Sequence, residues 1–140
     1  MKNEANFSDL LQGFFTLRLM QQKQVSPHTI ASYRDTFRLL LKFVQIRRHK
    51  VPCQLAFADI DAPLIADFLQ DLENNRQISA RSRNLRLTAI RSFFQYAAYE
   101  APAHSAQIQR VLAIPSKRYD RKQVQFLNQP EIKALVEAPD

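Results

Sequence analysis

From residue 7 onward, apolar side chains recur at intervals of three and four, the spacing of one face of an α-helix. The pattern predicts a first helix over about residues 8 to 22, with Ser8 as its N-cap and Phe7, Leu10, Leu11, Phe14, Leu17 and Met20 as its stripe. Phe15 and Leu19 fall off that stripe and give the helix a second apolar face, available for core packing or for a partner. Ser26 caps a second helix, Pro27 takes its first position, and Ile30, Tyr33, Phe37, Leu40, Leu41 and Val44 form its buried stripe up to about Arg47. A connector follows from about His49 to Asp59, with Val51, Pro52 and Leu55 tucked onto the core. The third helix runs from about 62 to 74 behind Asp61 and Pro63, with Leu64, Ile65, Phe68, Leu69 and Leu72 inward. Ser79 caps a fourth helix over about 80 to 99, where Leu85, Leu87, Ile90, Phe93, Phe94, Ala97 and Ala98 cover so much of the circumference that it must be central. A shorter helix over about 104 to 112 carries Ile108, Val111 and Leu112, and Pro115 ends it.

Ser116 to Gln123 is polar and basic and reads as a linker. Beyond it, Asn128 and Glu131 form a capping box and Leu127 with Ile132 a hydrophobic staple, the start of a new helix. The expected organisation is therefore a helical domain at 1–113, a basic interdomain linker at 114–125, and the first helix of a second domain, cut short, at 126–140. Gly13 is the only glycine among 140 residues. Phosphate-cradling loops and tight hairpins need glycine, so nucleotide-binding α/β folds and hairpin-rich β folds are disfavoured. The fold class expected is all-α, a compact bundle of four to five helices.

Charge sharpens this picture. Lys and Arg number 20 against 13 Asp and Glu, a formal net charge of +7. A domain so basic attracts polyanions, nucleic acid first among them, although the charge also serves plain solubility. Arg34, Arg38 and Lys42 repeat every four residues on the second helix. Like charges at that spacing cost a few tenths of a kcal/mol per pair, roughly, and Asp35 offsets part of it from one side. Arg81, Arg83, Arg86 and Arg91 crowd the N-terminal half of the fourth helix, with Arg76 just before it. Cations there oppose the helix dipole unless an anion sits nearby. Asp67, Asp71 and Glu73 make the outside of the third helix acidic, and that face is expected to point away from DNA.

Catalytic chemistry is not legible. His28, His49 and His104 are isolated and lack metal-ligand spacing, so no metal site and no cofactor is expected. His28 lies in the first turn of the second helix, within reach of a phosphate; the other two read as surface residues. Cys53 is the only cysteine, which excludes an internal disulfide; it is expected to be buried, in a reducing compartment. No run of 18 apolar residues exists and no apolar stretch follows the N-terminus, so a cytoplasmic protein without a membrane partner is expected. What remains is two helix N-termini rich in hydroxyls and arginine, Ser26-Pro27-His28-Thr29 with Ser32, and Ser79-Ala80-Arg81-Ser82-Arg83-Asn84 with Arg86. Both suit phosphate oxygens and base edges.

Four stretches, Ser26 to Arg34, Asn84 to Phe94, Ile114 to Arg118 and Phe126 to Leu135, together resemble the core-binding, SAM-like N-terminal domain of tyrosine recombinases and phage integrases. Ser26 to Arg34 is similar to the family's S-x-x-T-x-x-x-Y entry to its second helix, and Asn84 to Phe94 to N-R-x-L-S-A-I-R-S-F-Y. Ile114 to Arg118 resembles the interdomain P-K linker, and Phe126 to Leu135 the first helix of the catalytic domain. Arg83 departs from the pattern, which has an apolar residue near that place. The resemblance implies a helical bundle that clamps one face of a core recombination site in duplex DNA, its second and fourth helices in the major groove. It also implies neighbouring protomers that meet partly through the first helix. By position, the DNA-facing residues implied are Thr29, Ser32 and Arg38 from the second helix and Arg81, Ser82 and Arg86 from the fourth; the candidate DNA-binding set also takes in the basic residues Arg34, Lys42, Arg83, Lys117 and Arg118. The family's arginine, lysine, H-x-x-R element and tyrosine nucleophile have no counterpart here: Tyr33 and Tyr96 sit on apolar stripes, Tyr99 lies near a helix end and Tyr119 in the linker.

The function expected is thus the DNA-binding module of a site-specific recombinase, acting in DNA integration and recombination. It should not be an enzyme on its own, and should be monomeric without DNA. The alternatives are a helical protein–protein module that mediates self-association through the first helix, and a stand-alone helix-turn-helix regulator.

Overall fold

The computed structural model describes residues 6–118. The helix expected at 126–140 and Tyr119 lie outside them. Five α-helices follow one another: α1 (Phe7–Gly13), α2 (Pro27–Arg48), α3 (Ala62–Asn75), α4 (Ala80–Glu100) and α5 (Ser105–Leu112). A π-helical segment (Phe14–Gln22) continues α1, and single 3₁₀ turns sit at Pro52–Gln54, Phe57–Asp59 and Pro102–His104. No strand occurs among the described residues, so the chain is all-α.

Three helix starts follow directly from their caps. Ser26 Oγ accepts from the Thr29 amide at 3.2 Å, Asp61 Oδ1 from Leu64 at 3.0 Å and Ser79 Oγ from Ser82 at 3.1 Å. The first cap is different from expectation. Asn6, not Ser8, caps α1 by accepting from the Asp9 amide at 3.1 Å. Ser8 instead donates to the Pro52 carbonyl at 2.9 Å, pinning α1 to the connector, whose Leu55 carbonyl accepts from the Phe7 amide at 3.1 Å.

The π segment also overturns the expected stripe. Its i→i+5 bonding, closed by Lys23 N–H on the Arg18 carbonyl at 2.8 Å, lengthens the repeat from three or four residues to five. Phe14 and Leu19 are consequently buried, whereas Leu17 and Met20 are 48% and 46% exposed. Gly13 opens this segment. A side chain there would collide with the Tyr96 hydroxyl, so the lone glycine permits α4 to approach.

The core is aromatic and centred on α4, which packs against every other helix. Phe14 touches the rings of Phe15, Tyr33, Phe37, Phe93 and Tyr96 at centroid distances of 5.3–6.4 Å. Phe7, Phe57 and Phe94 extend the cluster around Phe93. Burying one such ring contributes ~1.5–3 kcal/mol. The inward face of α3 is the one expected, with Leu64, Ile65, Phe68, Leu69 and Leu72 all buried.

The connector and α4 hold further corrections. Cys53 is exposed, because the Pro52–Gln54 turn points it outward while Leu55, Phe57 and Ile60 fill the core. Val51 is likewise exposed, and so is Leu85 on α4, at 60%. His104 is half-buried, its ring 5.0 Å from that of Phe57, rather than on the open surface. Asp59 accepts from the Ala56 amide and from Lys50 at 2.9 and 3.0 Å. Burial works to raise its carboxyl, but these two partners hold it below the ordinary value.

Candidate nucleic-acid interface

The expected DNA-facing residues separate into two basic depressions flanking the N-terminal half of α4, plus a remainder. The first is a groove of about 460 Å³ between α2 and the α3–α4 turn. Its cations are Arg38 and Lys42 from α2, Arg86 from α4, and Arg76, which in sequence stands out only as lying just before the fourth helix. Gln77 makes the turn at φ 56°, in the left-handed region, and so places Arg76 on the groove wall and Ile78 beneath it.

Arg86 is the groove's structural centre. Its guanidinium donates to Thr36 Oγ1 at 3.0 Å and pairs with Asp35 at 3.1 Å. Thr36 is the one buried polar residue of the core among the described residues; its hydroxyl donates to the Ser32 carbonyl at 3.2 Å, and Arg86 supplies the donor that its oxygen accepts. Asp35 also pairs with Arg38 at 3.4 Å, although that arginine side chain remains 63% exposed. One carboxylate is thereby shared between two arginines, which relieves the repulsion expected along α2. Lys42 and Arg76 have no acidic partner within 4 Å among the described residues.

The second depression is a cleft of about 630 Å³ between α4 and the chain that follows α5. Arg81, Asn84, Leu85 and Thr88 form one wall and Ser116, Lys117 and Arg118 the other. Neither Arg81 nor Arg118 has an ion-pair partner among the described residues. Leu85, unexplained as a core residue, supplies the cleft's apolar surface.

The remaining residues are placed otherwise. Thr29 is half-buried and its hydroxyl accepts from Ser26 Oγ at 3.1 Å; Ser32 is exposed one turn on, its carbonyl accepting from Thr36. Ser82 is half-buried, its amide spent on the α4 cap. Arg34 faces α1 instead, 5.9 Å from the Phe15 ring, and lines a shallow apolar cleft of about 380 Å³ with Leu11, Phe15, Phe37 and Leu41. Arg83 turns away from solvent to Glu73 at 3.8 Å and the Pro115 carbonyl at 3.2 Å. Glu73, expected on a face remote from DNA, therefore sits among the cations and also holds Lys117 at 2.8 Å. Asp67 does lie apart, paired with Arg47 at 2.9 Å.

Among the described residues no group of three His, Cys, Asp or Glu side chains could hold a metal ion, and no helix is long and apolar enough to cross a membrane. Tyr96 is buried and Tyr33 stacks on Phe14. Tyr99 is 78% exposed, with the Arg18 guanidinium 5.4 Å from its ring.

Comparison with known proteins accords with this architecture. A protein of Sinorhizobium fredii with the provisional name integrase/recombinase y4rC is 65% identical over 140 residues, all of this chain and 42% of its own length. A second from the same organism, with the provisional name integrase/recombinase y4rD, is 41% identical over the whole chain and 50% of its own length. The tyrosine recombinase XerD of Staphylococcus aureus is 36% identical over 125 residues, 89% of this chain and 39% of that protein. The chain thus spans about half or less of the length of these relatives. No solved structure matches. Residues 13–101, from the π segment through the end of α4, match the family described as phage integrase, N-terminal SAM-like domain, and the chain belongs to that family.

Proposed function

We propose that this chain is the duplex-DNA-binding module of a site-specific tyrosine recombinase. The observation that carries the reading is the groove in which Arg38, Lys42, Arg76 and Arg86 converge from three segments of the fold, with Asp35 the only acid lining it among the described residues. Guanidinium and ammonium groups on such a wall suit backbone phosphates, and exposed hydroxyls and arginines near a helix N-terminus suit base edges. A duplex laid across the first turns of α4 reaches the groove from one side and Arg81, Lys117 and Arg118 from the other. In this reading Thr29 and Ser32 add contacts from the start of α2. Arg34 faces a neighbouring protomer rather than DNA, and Arg83 is structural.

The proposed division of the chain is a DNA-binding domain over 1–113, a linker over 114–125 and the beginning of a catalytic domain over 126–140. Strand cleavage and rejoining belong to that further domain, and the chain by itself binds without catalysis.

The test is fluorescence anisotropy on a labelled duplex across a salt series. Binding whose logarithm falls linearly with log salt, at about 0.9 per phosphate contact, supports the reading. A folded sample that ignores duplex at low salt overturns it.

A second reading has its own observation. The apolar cleft around Leu11, Phe15, Phe37 and Leu41 fits self-association through α1 on adjacent sites. Phe14 is fully buried and unavailable, so Phe15 is the residue to change. Salt-insensitive dimerisation in sedimentation, lost in Phe15→Ser, would favour this reading; a monomer without DNA is the outcome expected from the first.

A further inference from the structure

The chain leaving α5 does not run free. Arg91 donates to the Ile114 carbonyl, and its other terminal nitrogen lies 3.4 Å from Ser116 Oγ. Arg83 donates to the Pro115 carbonyl at 3.2 Å. At the next residue but one the attachment becomes reciprocal. Lys117 N–H donates to Asn84 Oδ1 at 2.8 Å, and Asn84 Nδ2 donates to the Lys117 carbonyl at 2.7 Å. A single carboxamide thus engages both backbone polar groups of residue 117, as a facing peptide group would. Lys117 Nζ is drawn to Glu73 at 2.8 Å.

This latch forms one wall of the basic cleft. Ser116, Lys117 and Arg118 face Arg81, Leu85 and Thr88 because Asn84, which lies between them, fixes the segment against α4. Three cations then line an open space of about 630 Å³ with no carboxylate in its lining. An unlatched segment would carry the same charges but would have to order them on each encounter with a ligand.

We propose that residues 114–118 are a latched part of the nucleic-acid interface, that the cleft between them and α4 takes backbone phosphates beside those of the groove, and that Asn84 is the positioning residue that builds it. The proposal rests on the DNA-binding reading above. It adds to that reading a phosphate subsite whose far wall is held in place by Asn84, itself part of the near wall. It also makes the direction in which the chain leaves the domain a property of α4, set before DNA is bound.

The experiment uses the 140-residue chain and two variants, with amide hydrogen exchange at Lys117 measured without DNA and duplex binding measured across salt. In the unaltered chain the Lys117 amide is protected. In Asn84→Ala it exchanges faster by about 5-fold, the worth of one ordinary hydrogen bond. The salt slope of Asn84→Ala falls by roughly one to two, at about 0.9 per phosphate contact. Arg118→Ala, an exposed change at a side chain with no acidic partner among the described residues, keeps the Lys117 protection and loses about one such contact. Unchanged protection in Asn84→Ala removes the latch. Faster exchange with an unchanged salt slope removes the phosphate subsite while leaving groove binding intact. Failure of the unaltered chain to bind any duplex sinks the DNA-binding reading and the subsite together, and the exchange data then decide the latch by themselves.

Discussion

The groove and the cleft both gather cations beside the N-terminal half of α4, yet they are built in opposite ways. In the groove three of the four charges stand on helices and two are partly neutralised from within: Asp35 lies between Arg86 and Arg38, and Arg86 also donates to the buried Thr36 hydroxyl. In the cleft, Arg81 and Arg118 are uncommitted, and one wall is an extended segment held by hydrogen bonds to Asn84. A count of arginines therefore does not give the charge available to a ligand. Some guanidiniums belong chiefly to the fold, some chiefly to the surface, and Arg86 belongs to both.

Arg86→Ala should have the largest effect because it acts on both properties. Removing the guanidinium leaves the buried Thr36 hydroxyl with its bond to the Ser32 carbonyl alone, a cost of ~0.5–1.5 kcal/mol for the hydrogen bond lost. Each kcal/mol lowers the melting temperature by roughly 4–8 °C in a domain of this size. Duplex binding should weaken by a further ~1–3 kcal/mol if the residue reads a base edge. Calorimetry and anisotropy on the same sample separate the two. Lost affinity at an unchanged melting temperature would place Arg86 with the uncommitted cations and break the contrast.

Arg81→Ala should come next, and on the surface side alone. Its melting temperature should match that of the unaltered chain, since a surface change away from special features moves stability by no more than ~0.5 kcal/mol. Its duplex affinity should fall by ~1–3 kcal/mol at a base contact, or lose about 0.9 of salt slope at a phosphate contact. A folded Arg81→Ala that binds as before would remove the cleft from the interface.

The same contrast explains what could be read in advance. On α3 the sequence period and the caps agree, and every expected inward residue is buried. At the π segment the repeat lengthens to five, so a 3.6-residue template exchanges Leu19 for Leu17 and Met20. Leu85 reads as core because it is apolar on an apolar helix, but its neighbour in space is the 116–118 segment, more than thirty residues away. Glu73 and Arg76 do not stand out as site residues for the same reason, and Asn84 stands out as part of a phosphate-suited helix start but not as the residue that holds the 114–118 segment. Their partners come from other segments, and no local pattern reveals where the chain returns. A usable signal lay in Arg83, an arginine where the family pattern is apolar: it answers Glu73 and the Pro115 carbonyl.

Asp35→Asn probes the groove from its acidic side. It removes the charge that, in the proposed binding mode, competes with DNA for Arg38 and Arg86, at a carboxylate 43% exposed. Exposed pairs contribute about 0.2–1 kcal/mol, so stability should fall by no more than that and duplex affinity should rise by a similar amount. A drop in affinity would mean that Asp35 orients Arg86 for DNA rather than restraining it.

Arg38→Ala should have the smallest effect and gives the finest test. The side chain is 63% exposed, and its pair with Asp35 is an i,i+3 contact at 3.4 Å, a geometry that contributes a few tenths of a kcal/mol, roughly. Asp35 keeps Arg86 as a partner at 3.1 Å, so removing Arg38 leaves no isolated charge behind. The melting temperature should therefore be unchanged. The expected loss is one phosphate contact, a decrease of about 0.9 in the salt slope, with affinity reduced alike on every duplex sequence. If Arg38→Ala instead changed the preference among sequences while keeping its slope, the residue would be reading bases, and the α2 wall of the groove would lie deeper in the major groove than its exposure on the rim implies.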